Sequence, residues 1–143
     1  MTRRTRLVLM MGTVSLGLLA QQSLRAQACQ DDEAMVTDYK KSITELAATV
    51  KTESLENFDK AYHRKSCLTK LTLSVGIVGG AVDCFDKAAQ DPATPKEQAS
   101  TYKAKRDGYT KLKDKVTHYR DALKPVEAGK DAKALIEKID LSD

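Results

Sequence analysis

Apolar residues recur at helical spacing along most of this chain. In "VTDYKKSITELAATV" (36–50), Val36, Tyr39, Ile43, Leu46 and Val50 follow steps of 3, 4, 3 and 4. That is the stripe of a helix packed in a bundle. Asp31, Asp32 and Glu33 stand where a helix start favours negative charge. The rhythm fails near "KTES" (51–54), and Ser54 is suited to cap a second helix carrying Leu55, Phe58 and Tyr62. A further start signal is "TPKE" (94–97), with Thr94 as cap, Pro95 in the first turn and Glu97 closing a capping box. From there Tyr102, Arg106, Tyr109, Leu112, Val116, Tyr119 and Leu123 mark one face, and Pro125 stops the helix. "EAGK" (127–130) reads as a turn, after which Asp131 opens a short last helix carrying Ala132, Leu135, Ile136 and Ile139.

The ambiguous stretch is "LTLSVGIVGG" (71–80). As a strand it places Leu71, Leu73, Val75 and Ile77 on one face; as a helix, Leu68, Leu71, Val75, Val78, Val82, Phe85 and Ala89 form a longer stripe. Nothing else in the chain alternates, so a strand would lack a partner for its backbone groups. The helical reading is preferred, within a long second element spanning 55–89. Thr72, Gly76 and Gly80 then form a strip of small residues suited to close approach by a neighbour. The competing reading makes 76–80 the turn of a helical hairpin. The uncharged run extends only from 71 to 82, too short to span a bilayer. No Gly-Lys-Ser/Thr follows the glycines, so a phosphate loop has no support.

The N-terminus changes the electrostatic picture. Arg3, Arg4 and Arg6 precede the apolar run "LVLMMGTVSLGLLA" (7–20), and "AQA" (26–28) offers a small-residue cleavage site. This is the order of a secretory signal peptide over 1–28, leaving one domain over 29–143 in the periplasm or outside the cell. The whole chain carries 24 basic and 20 acidic residues; without the four leader arginines, 20 face 20. A neutral mature chain gives no basis for nucleic-acid binding. The charges are nevertheless uneven, with eight acids and four bases over 29–62 and nine bases and four acids over 96–124. Complementary surfaces on neighbouring helices are the simpler account; a basic face for an anionic partner is the sharper one.

Export exposes the cysteines to an oxidising compartment. On a continuous helix, Cys67 and Cys84 stand about 25 Å apart, so Cys29, at the start of the antiparallel first helix, is the partner within reach of Cys84, and Cys67 is left free. In the hairpin alternative Cys67 and Cys84 face each other. His63 and Cys67, four apart, would share a helical face and are the weak candidates for a metal site. No nucleophile elbow, His-Glu-x-x-His pattern or oriented His–Cys pair appears, so no enzyme activity is expected. His118 reads as a surface residue, and the tyrosines as core residues.

The layout resembles the soluble periplasmic four-helix b-type cytochromes. The features that carry this are the leader, Met35 early in the mature chain, the bent first helix pair and "DALKPVEAGKDAKALIEKID" (121–140). The resemblance implies a four-helix fold and a haem ligated by Met35 and a histidine near the C-terminus. No histidine follows His118, so no cofactor is expected. The expectation as a whole is an all-α protein, an antiparallel three- to four-helix bundle with a short last helix. Its expected role is a non-enzymatic binding or structural module of the cell envelope, the alternative being a small haem or metal carrier.

Overall fold

The structure, a computed structural model, describes the backbone of residues 13–142 and the side chains of residues 29–142. It is all-α: α1 (Thr13–Thr52), α2 (Leu55–Lys60), α3 (His63–Gln90), α4 (Lys96–Leu123) and α5 (Lys130–Glu137). The first part of the expected leader, residues 1–12, lies outside the described residues, and the rest is the beginning of α1. Asp31, Asp32 and Glu33 are therefore interior to α1 in the full chain. They would occupy the first turn only after cleavage at Ala28.

α3 is the central element. Ser42 accepts from Lys70, and Asp32 lies beside Gly80, so α1 runs antiparallel to α3. Asp86 pairs with Arg106 and Gly79 lies beside Lys113, so α4 runs antiparallel to α3 on its other side. α1 and α4 both pack along α3 and hardly touch one another directly. α5 closes one end of the space between them, where Val50, Phe58, Leu123, Ala132, Ile136, Ile139 and Leu141 bury together. Fully burying an aliphatic or aromatic side chain of this size contributes about 1.5–3 kcal/mol.

"LTLSVGIVGG" is helical throughout, but two expectations around it need correction. The element proposed over 55–89 is broken at Ala61–Tyr62: α2 ends after six residues, and Tyr62 takes a left-handed conformation at φ 54°. The bend lets Phe58 turn fully into the core. The buried face of α3 is also rotated. Cys67, Leu71, Ser74, Val78, Ala81, Phe85 and Ala88 are buried, whereas Leu68, Val75 and Val82 are only half-buried. A helix gripped on both flanks buries the face lying between its partners, and here that face includes a thiol and a hydroxyl.

The small-residue strip receives a neighbour only at Gly80, beside Asp32 of α1. Thr72 and Gly76 are exposed, and a Cβ built on Gly76 would meet nothing within 4 Å. The cap at Ser54 forms, its hydroxyl accepting from Asn57 N at 3.2 Å. The capping box at 94–97 does not. Thr94 instead donates to Ala88 O at 2.9 Å, fastening the α3–α4 turn, and α4 starts without a side-chain cap.

Candidate functional site

Cys29 is bonded to Cys84, with Cα atoms 5.7 Å apart. The bridge ties α1 to the last turns of α3 and belongs to a small aromatic cluster. Phe85 stacks on Tyr109 at 5.7 Å and meets Tyr102 at 5.8 Å, while Lys105 Nζ lies 5.2 Å above the Phe85 ring. Closing the intervening loop removes about 4 kcal/mol of denatured-state entropy on the chain-entropy scale. Cys67 is free and fully buried on the opposite half of α3. Burial pushes its thiol up to about 12, against a smaller pull from Lys70. A thiol that resists ionisation is a poor nucleophile and a poor metal ligand.

His63, the other candidate metal ligand, is engaged elsewhere. Its Nε2 lies 2.7 Å from Glu53 Oε2, and neither buried atom has another hydrogen-bond partner among the described residues. The Phe58 ring sits 6.0 Å from the imidazole. Beside it Arg64 donates to the carbonyls of Val126 and Lys124, the latter at 3.2 Å. These contacts lock the α1–α2–α3 elbow to the α4–α5 connection. Glu53 was not visible as a partner of His63 from sequence, because the two meet only when the chain folds back at α2. Among the described residues, no three His, Cys, Asp or Glu side chains gather as a metal cage.

The residues present do not fit a haem held in the way the resemblance implies. Met35 lies on the outer side of α1, 45 % exposed, and His118 is exposed on α4. Met35 lines neither of two grooves of about 660 and 600 Å³ formed by described residues.

Both grooves border α1. The first, about 660 Å³, lies where α1 meets the N-terminal half of α3 and is lined by Asp38, Tyr39, Tyr62, Lys65, Lys70 and Leu73 among others. Tyr62 and Leu73 are strongly exposed there, at 72 % and 49 %. The second, about 600 Å³, lies between α1 and α4 and is lined by Val36, Thr37, Lys40, Lys105, Gly108, Tyr109, Lys111, Leu112, Lys115 and Ser142. At one end of it Glu33 accepts from Lys105 at 2.9 and 3.0 Å and from the Tyr109 hydroxyl at 2.9 Å. At the other, Asp140 is held below the usual carboxylate range by the Ser142 hydroxyl and backbone N–H, with Lys115 and Lys40 adding to the effect.

The uneven charge noted in the sequence therefore has a definite placement. Acid-rich α1 and base-rich α4 are not packed face to face; Glu33–Lys105 bridges them at one level, and Lys40, Lys111 and Lys115 line the groove beside it. By length and composition α3 passes as a membrane-crossing helix, although its uncharged run was expected to be too short; it is also the helix along which both α1 and α4 pack. No protein-family model, no curated protein and no solved structure matches this chain.

Proposed function

We propose that this chain is an exported, non-enzymatic helical-bundle module of the cell envelope or the space outside it, which binds or braces a partner. The observation that carries the reading is the Cys29–Cys84 bridge. Its first cysteine follows the expected cleavage site directly, and disulfides persist in oxidising compartments. Cleavage after Ala28 would place Asp31, Asp32 and Glu33 at the new N-terminus of α1, where their charge complements the helix dipole. The described residues also form open grooves with exposed tyrosine, leucine and lysine side chains, a surface suited to contact rather than turnover.

Intact-mass and non-reducing peptide analysis of protein recovered from the periplasm of an exporting host tests the reading. The expected product begins at Cys29 and contains one Cys29–Cys84 link. A product that begins at Met1 with all three thiols reduced would remove it.

A further inference from the structure

We infer that the channel between α1 and α4 is a docking slot for an acidic amphipathic helix of a partner protein. The inference rests on the binding-module reading above and names the partner's chemistry.

The slot has the shape of a missing bundle element. α1 and α4 flank α3 without closing on each other, so a fourth helical position lies between them. α5 and the residues after it fill that position at one end only. The tail is fixed there by Tyr119, which donates to Lys138 O at 3.2 Å and accepts from Asp140 N at 3.1 Å, and by Lys115, which donates to Ser142 O. From Lys115 back to Lys105 the position stays open. That interval on α4 is about 15 Å, close to three turns of an incoming helix. The N-terminal half of α4 buries no residue fully, as expected of a helix with an unfilled side.

Charge selects the occupant. Lys40, Lys105, Lys111 and Lys115 rim the slot, and among the described residues that line it none is a carboxylate. Glu33 and Asp140 offset part of this charge at the two ends and Lys40 is itself engaged, so charge selection leans on Lys111, midway, which makes no ion pair among the described residues. The floor of Val36, Tyr109 and Leu112 is apolar but largely covered already. Attraction therefore comes mainly from the lysines, and apolar contact sets the register. An acidic helix with a narrow apolar stripe satisfies both, and its binding should be salt-sensitive.

The test uses the mature, disulfide-bonded protein and a fluorescein-labelled peptide of about 15 residues, long enough to populate helix, with leucines at three- and four-residue spacing and glutamates elsewhere. Anisotropy should report saturable binding at low salt that weakens about tenfold or more when salt is raised several-fold. The same peptide with lysines for glutamates should not bind. Lys111→Glu should reduce affinity about tenfold by reversing a rim charge. Gly108→Leu should abolish binding by filling the slot; a Cβ there meets nothing within 4 Å, and the change favours helix, so the fold is retained.

Absence of binding, equal binding of the basic peptide, or affinity unchanged in both variants overturns the inference. So does co-sedimentation with phosphatidylglycerol vesicles without peptide binding, which would assign the lysines to a lipid surface. Any of these results on protein that begins at Cys29 with its bridge intact leaves the export reading standing. A chain that begins at Met1 with free thiols removes that reading by itself.

Discussion

Replacing the α3 glycines with alanine should stabilise the protein, and the size of the gain can be worked position by position. Gly76 is exposed in the interior of a helix, and a Cβ there would meet nothing within 4 Å. Gly76→Ala therefore gains the full difference in helix propensity, about 0.8–1 kcal/mol. At Gly79 the new methyl would lie 3.5 Å from Lys113 Nζ, and at Gly80 3.7 Å from Asp32 Oδ1. Both are ordinary contacts with mobile side-chain ends, so each gain should be similar or slightly smaller. The triple variant should gain about 2–3 kcal/mol if the sites act independently. For a domain of this size that corresponds to a rise in Tm of roughly 8–15 °C. Gly129→Ala is the contrasting control. Its Cβ also meets open space, but φ is +133°, a region other residues avoid, and the expected effect is a loss of about 1–3 kcal/mol. Guanidinium and thermal unfolding of the oxidised protein, followed by circular dichroism, measure the single variants, the triple variant and the control. A Gly76→Ala variant less stable than the parent would refute the reasoning, because it would mean that something packs on that face.

Four further outcomes are expected. Cys29→Ala/Cys84→Ala should lower stability by about 2–5 kcal/mol, read as a fall in the denaturant midpoint; an unchanged midpoint would mean that the cysteines are not joined. Ellman's reagent at pH 8 should find no reactive thiol in the native protein and one after denaturation, because burial keeps Cys67 protonated up to about 12. Arg106 donates to Asp86 and holds its carboxyl below the usual range, with Gln90 adding a second hydrogen bond. The stabilisation from this pair is present above the ordinary carboxylate pKa and lost as pH falls through the lowered one, so Arg106→Gln should move the Asp86 carboxyl resonance midpoint upward in an NMR titration. Stoichiometric haem should give no sharp low-spin Soret and Q-band spectrum; such a spectrum, abolished by Met35→Ala, would restore a cytochrome-like reading.

The helices were legible from sequence because apolar spacing survives even where individual residues mislead. Val36, Ile43 and Val50 are buried as their spacing indicates, and the tyrosine-rich side of α4 faces α3. The exact buried face of α3 was not legible. The apolar stripe through Leu68, Val75 and Val82 sits slightly to one side of the true core, which includes Cys67, Ser74 and Ala81. Side-chain polarity gives the period of a helix, but two flanking partners decide its rotation. The break at Tyr62 was hidden because neither glycine nor proline marks it. The capping box failed because Thr94 found a better acceptor across the turn. The second groove was invisible because it depends on how far α5 reaches along α4, a tertiary fact that no local pattern encodes. The lysines that line it were visible only as a charge excess.

The bridge between α1 and α3 has a mechanical consequence. Its cysteines are 55 positions apart, and at about 3.5 Å per extended residue the enclosed chain holds roughly 190 Å of contour length. Tension applied at the ends of the oxidised protein can draw out α4, α5 and the last turns of α3, but not this enclosed segment. α1 from Cys29 onward, α2 and most of α3 can lose their order under load, yet they cannot lengthen. Reduction of one bond would release the whole reserve, so a stretched molecule would show a single large extension step on adding a thiol.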